Sequence, residues 1–475
     1  MKRALVVIHR WLGVAFCLLF AMWFASGIVM HFMPFPALTE AERVAGLAPF
    51  DPNLLRVDPR AAIAASGFPG AVRVRAFARD DGPIYVVTGA SGLRAFKGPE
   101  LAPAGVVAPQ DALAIATVHA RRRGIDSDAA AFAELADYDQ WTVSNRLDPH
   151  RPLYRIALND DAATELYVSS ATGEVVRDTT ARERGWNYVG SVAHWIYPTA
   201  LRRNLDAWLI TVWWLALAAS IAVITGTIVG LWSVRIAVGR VRSPYSGWQA
   251  WHHWLGLGCT VFILSWTFSG WLSMDNGLLF SNGKLSPAEA AVFSNKLAWQ
   301  TRAPPEPSSV PGQVLEVEWF AFGERVYRRD RFGLEAQRLL AIGETQSGIR
   351  TFLEPADIVP VGAKFGRGCR PPVAVAMTDD YPSRSAMPGA PVYRLVCGDA
   401  WFNIDGASGA PLEKLDGSRR AYRWLYQGLH TLDFAPFNTW PFLRTAAISG
   451  LCGLGTLFSV TAIVIAWRRL RCLTL

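Results

Sequence analysis

The sequence predicts a membrane protein of four transmembrane α-helices in a pseudo-two-fold duplicated arrangement, with two α+β regions on the periplasmic side. Three observations predict it. Four stretches are long and apolar, clusters of positive charge without acids mark the short segments beside them, and one histidine pattern occurs twice.

The chain has 475 residues, 51% hydrophobic, with 20 Trp and 24 Phe. Runs near 5–31, 207–232, 252–273 and 442–467 each exceed the roughly 20 residues that cross a bilayer. The first run is too long for a signal-peptide core and lacks a small-residue cleavage pattern before Pro34, so it is expected to stay as an anchor. Lys2, Arg3 and Arg10, then Arg235, Arg240 and Arg242, then Arg468, Arg469 and Arg471 lie in segments without acidic residues, which puts those segments in the cytoplasm. The two long intervening regions mix both signs and fall outside. This asymmetry accounts for most of the net charge of +8, so no nucleic-acid partner is implied.

The resulting division is a first span (1–33), a first external region (34–181), an interfacial histidine segment (182–206), a second span (207–234), a cytoplasmic loop (235–250) and a third span (251–273). A second external region (274–417), a second histidine segment (418–441), a fourth span (442–467) and a tail (468–475) complete it.

The halves repeat. His9-Arg10-Trp11-Leu12-Gly13 aligns with His252-His253-Trp254-Leu255-Gly256, and Ser26-Gly27 then falls on Ser269-Gly270 without a gap. A second register links His194 to His430; Thr225 and Thr461 each follow by 31 residues. Both copies enter the membrane from the same side, which is a parallel repeat. In the external regions, 108–122 reads as a helix starting at Asp111. Gln140–Ser144, Leu153–Leu158 and Glu165–Ser169 read as strands before a turn at 171–174. Strand-turn units recur at Tyr85–Gly92 and Trp401–Gly409, and 303–312 and 380–391 read as loops.

The His-Arg-Trp-Leu-Gly opening, the Ser-Gly near the far end of the span, the unit ending in Ala-Thr-Gly-Glu-Val-Val and the downstream histidine with Thr-Gly in the next span resemble the PepSY-associated transmembrane family. That family includes iron-regulated inner-membrane proteins and haem-containing ferric-siderophore reductases. The resemblance implies PepSY-like external regions, an inner-membrane location and a ferric siderophore as the periplasmic acceptor.

Histidine is costly within a bilayer and calls for a partner. Six of the eight lie at span boundaries; His119 and His150 lie in the first external region, where surface or structural roles are expected. His9 and His31 are 22 residues apart, which on one helix returns them to within about 40° across a rise of about 33 Å. His9 and its duplicate His252 are expected to ligate an inner haem iron from both sides, with His253 as an interfacial cation. Two of His31, His194 and His430 are expected on an outer haem iron. His31 aligns with Met274, so sequence leaves the outer pairing open: His31 pairs with either, or those two pair and His31 orients a propionate or the substrate. Arg182, Arg184, Arg419 and Arg423 stand near enough in sequence to meet carboxylates. Gly13, Gly27, Gly256 and Gly270 give room for a haem edge or for close helix packing. No closed Cys/His/Asp pattern for zinc or copper is visible.

Cys369 and Cys397 form a plausible disulfide; Cys17, Cys259 and Cys452 lie in spans, and no Cys-x-x-Cys-His exists for covalent haem. Nucleotide-binding glycine motifs are also absent from the sequence. The expectation is a b-type haem protein, with two haems, that takes electrons from quinol or a separate reductase. The alternative is a non-enzymatic membrane module that binds peptide or regulates a peptidase or transporter.

Overall fold

A computed structural model describes residues 2–68, 70, 73–79, 82–89, 92–237, 240–275, 277–294, 299, 312–343, 348–366 and 368–472. The chain forms two compact units. One comprises Met1–Phe35, Glu183–Asn282 and Ser418–Leu475; the other comprises Pro36–Arg182 and Gly283–Gly417.

The first unit holds four helices long and apolar enough to cross a membrane: Lys2–Phe32, Leu205–Ser233, Gly247–Ser273 and Pro441–Arg471. Asn204 caps the second through the Ala207 amide, and Pro441 begins the fourth, where a missing N–H costs nothing. The first span packs on the second and fourth, and the third packs on the same two. Phe20, Phe24, Ala219, Ala222, Cys259 and Ile263 fill the interior, and Phe24 meets Phe262 of the third span at 6.2 Å. Leu18, Ile210, Val261 and Leu457 point outward and are exposed, as an apolar solvent requires. Between the second and third spans runs a short hairpin, Arg235–Ala237 with Arg240–Arg242.

The second unit departs from two separate external regions. Strand Arg73–Arg79 pairs antiparallel with Glu316–Phe322, with Arg75 opposite Glu318, and this joins both regions in one seven-stranded sheet. Its outer strands are Gly82–Gly89, Gly92–Lys97 and Ala102–Pro103 on one side, and Arg325–Arg331 and Gln337–Ala341 on the other. Two four-stranded sheets follow, one from 131–179 and one from 373–415. Helix Pro109–Arg122 starts two residues before Asp111. Residues 140–144 are not a strand: Asp139 Oδ1 accepts from the Trp141 and Thr142 amides and bends the chain, and the added strand is Ala131–Ala136. The strands at 153, 165 and 400 form, whereas 303–311 and the turn at 90–91 lie outside the described residues. Cys369 and Cys397 are bonded to each other.

Alternation gives the large sheet one apolar face and one face that is charged at Glu316 and Glu318 and apolar further along the same strand at Phe320 and Phe322. Val74, Ala76, Val317, Trp319 and Ala321 join one core. On the opposite face Glu316 meets Arg43 at 2.9 Å, Arg75 at 3.3 Å and Arg329 at 3.6 Å. Glu318 pairs with Arg73 and Arg329, and Arg75 also pairs with Glu174 at 2.9 Å. Burial alone would raise the Glu316 carboxyl, but Arg43, Arg75 and Arg329 hold it well below the carboxylate range.

His119 is buried rather than at the surface. Its ring lies where a side chain on Gly46 would be, 2.0 Å from an added Cβ, and its Nε2 has no hydrogen bond among the described residues. Burial, helped by the charges of Arg123 and Arg43, pushes it down to about 4 from 6.5. The unfolded chain therefore takes up this proton first, and stability is lost as pH falls from 6.5 towards 4. The melting temperature of the protein in detergent is expected to fall across that window and to fall less steeply in His119→Gln; equal slopes would refute this.

Candidate functional site

The first unit brings four of the six boundary histidines together in twos. His9 and His252 have ring centroids 6.3 Å apart, and so do His194 and His430. The first pair sits on the first and third spans. The second sits on segments that precede the second and fourth spans, each entered through a turn of π-helix, Tyr188–Val192 and Arg423–Gly428. Such turns displace side chains from the α-helical register and recur at functional sites. The second pair is anchored at Ser26 and Ser269, each 17 residues beyond His9 or His252, which is about 25 Å along a helix.

The hydrogen bonds determine the proton on each ring. His9 Nδ1 lies 3.1 Å from the Ala222 carbonyl, which can only accept, so Nδ1 carries the hydrogen. His194 Nδ1 lies 3.0 Å from Ser26 Oγ and 3.2 Å from the Trp23 carbonyl. The Ser26 hydroxyl hydrogen is already given to the Met22 carbonyl at 2.5 Å, so the imidazole again donates. His430 Nδ1 stands 3.1 Å from Ser269 Oγ, whose hydroxyl turns to the Trp266 carbonyl. His252 Nδ1 stands 3.0 Å from Thr461 Oγ1, whose hydroxyl turns to the Phe458 carbonyl at 2.6 Å. All four rings are thereby held as the Nδ1–H tautomer. Each Nε2 keeps a lone pair and has no hydrogen bond to a described residue.

A histidine that ligates a metal likewise donates its other nitrogen to a supporting group, so these rings would suit that role. Two imidazoles that bind one metal ion from opposite sides, each through a nitrogen about 2 Å away, have ring centroids about 6 Å apart. Both pairs match that spacing. All four rings are half-buried. Among the described residues no group of three or more His, Cys, Asp or Glu could enclose a metal ion, so the donors come in twos. His9 with His252, and His194 with His430, are the residues that would hold a haem iron.

The other two boundary histidines are engaged at Nε2. His253 spans Ser243 Oγ at 2.8 Å and the Gly230 carbonyl at 2.9 Å, using both nitrogens. His31 Nε2 lies 2.9 Å from Thr445 Oγ1 and is not one of the two paired rings. Of the three outer candidates, the structure pairs His194 with His430.

Sequence reasoning missed Gly226. An added Cβ there would lie 2.5 Å from His9 Cε1, so only glycine leaves the ring its place. Gly27 and Gly270 lie beside His194 and His430, at 3.7 and 3.3 Å from Cε1 by the same construction, whereas nothing approaches Gly13. Ser26 and Ser269 were legible as a motif, but their supporting role was not. Arg423 pairs with Asp433 and Arg419 lies over Tyr422.

No curated protein matches the chain. The family model of the PepSY-associated TM region, however, matches residues 6–469, which takes in nearly all of the four spans, both histidine pairs and the intervening stretches of sequence. This multi-pass membrane protein belongs to the PepSY-associated TM family.

Proposed function

We propose that the protein is an inner-membrane b-type haem protein that carries electrons across the membrane to a periplasmic acceptor, a ferric siderophore whose iron is released on reduction. The observation that carries this reading is the pair of histidine pairs, each at 6.3 Å and each with Nε2 left as a lone pair. Matched supports in the two halves, Ser26 for His194 and Ser269 for His430, favour the two-fold repeat that the sequence registers suggest.

A bound haem would supply a one-electron Fe(III)/Fe(II) couple tuned by its axial ligands. The chain's part is to orient the imidazoles, fix their tautomer and exclude water. The separation of about 25 Å along the spans is consistent with one pair towards each face of a hydrocarbon core about 30 Å thick. The arginine-flanked ends, Lys2–Arg10 and Arg468–Arg471, favour a cytoplasmic side for His9 and His252. Each electron, supplied by quinol or a separate reductase, converts one acceptor Fe(III) to Fe(II). Hard oxygen chelators hold Fe(II) far less well than Fe(III).

The test is an absorption spectrum of the protein purified from haem-replete cells, before and after dithionite. Sharp b-type bands in the reduced sample are expected. A colourless preparation would overturn the reading and favour a non-enzymatic module that binds peptide or regulates a partner.

A further inference from the structure

The two outer seams of the bundle differ in a way that axial ligation does not require. His31 of the first span meets Thr445 of the fourth at 2.9 Å, and the adjacent Arg444 donates through Nε to the Thr431 carbonyl at 2.8 Å. Thr431 is the neighbour of His430, so this guanidinium is tied to the segment that carries the outer imidazole. Arg444 is half-buried, and its two terminal nitrogens have no partner among the described residues. The nearby acid, Asp433, is taken by Arg423 and Asn438.

At the matched seam all three polar groups are replaced. His31 aligns with Met274 in the span register. Arg444 and Thr445 follow His430 by 14 and 15 residues, and the same count from His194 reaches Trp208 and Leu209. That seam is built on rings: Trp208 packs on Tyr197 at 5.5 Å with the buried Arg202 guanidinium lying over both, 4.9 and 5.2 Å from their centres, and Trp213 meets Trp271 of the third span at 5.4 Å. One seam thus offers a cation whose terminal donors are open, and the other a cation engaged on aromatic rings.

We propose that Arg444, His31 and Thr445 form a carboxylate-binding subsite beside the outer histidine pair. The inference rests on the haem reading above and deepens it. A haem carries both propionates on one edge and apolar substituents on the other. Held between near-symmetric imidazoles, it needs cations at one seam and apolar contact at the opposite one. Arginine presents a planar fork that matches a carboxylate, and the hydrogen-bonded His31–Thr445 pair keeps one further hydrogen to donate, on the imidazole or on the hydroxyl. The carboxylate has two sources, a propionate of the outer haem or a carboxylate of the incoming ferric chelate.

Haem-depleted full-length protein in detergent, wild type and Arg444→Gln, is titrated with haem b and with haem dimethyl ester, whose propionates are blocked. Reoxidation of the dithionite-reduced, haem-loaded protein by ferric citrate is measured in parallel. A propionate site weakens uptake of one haem b equivalent by roughly 10-fold or more in Arg444→Gln and leaves uptake of the ester unchanged. An acceptor site leaves haem affinity unchanged and raises the ferric citrate concentration needed for half-maximal reoxidation. Either result supports the subsite. Equal weakening of haem b and ester means that Arg444 only braces the His430 segment, and overturns it; so does no change in any arm. A wild type that takes up no haem overturns both the subsite and the function reading, a result distinct from the other two.

Discussion

His252→Ala is expected to lose half of the b-type absorbance, His9→Ala the same half, and the double variant no more than either. The reason is that one iron needs both imidazoles, so removing the second costs nothing once the first is gone. His194→Ala and His430→Ala form the other such pair. Crossing the pairs, as in His9→Ala with His430→Ala, removes all of the absorbance. Haem per chain, measured as the pyridine complex, together with the reduced-minus-oxidised spectrum, reads the result. His253→Ala is the control: its nitrogens are both committed to Ser243 and Gly230, and its spectrum should match wild type. If the crossed double variant keeps as much haem as either single one, the pairing read from the ring distances is wrong.

The inner pair was legible because the two openings match at four of five residues, differing only at Arg10 and His253, and a repeated opening on two spans implies facing positions. The outer pairing was not. Helical periodicity could bring His31 into line with His9, but it says nothing of where a histidine on a separate segment will pack. His194 reaches the first span through its bond to Ser26, 168 residues away in sequence, and His430 reaches the third span in the same manner. Gly226 was invisible for a related reason: its significance lies in the ring of another helix. The joined sheet was also beyond local reading. Each region showed its own strands, but nothing in Arg73–Arg79 records that its neighbour is Glu316–Phe322. Gln140–Ser144 misled because β-formers such as Trp141, Thr142 and Val143 outweighed the one residue that decides the turn, Asp139.

Glu316→Gln is expected to destabilise the second unit by about 3–5 kcal/mol, because it leaves several buried cations without their shared anion. Glu316 is 1% exposed, and Arg43, Arg75 and Arg329 all converge on it. Glutamine keeps the volume and one acceptor but none of the charge, so the cost is electrostatic. Arg43 would keep Glu40 and Arg75 would keep Glu174, which limits the loss to the bonds that Glu316 alone supplies. The pair is not being credited with net stability over an apolar core; the expected loss is the cost of removing one partner. Adding Arg43→Met to Glu316→Gln should therefore recover part of the loss, a coupling that a simple packing defect would not give. The measurement is thermal unfolding of the full chain in detergent, followed by the loss of β-sheet ellipticity, for the two single variants and the double. A Glu316→Gln effect within about 0.5 kcal/mol of wild type, the range of ordinary surface substitutions, would mean that the charged cluster is solvated and that the apolar cores alone hold the sheet.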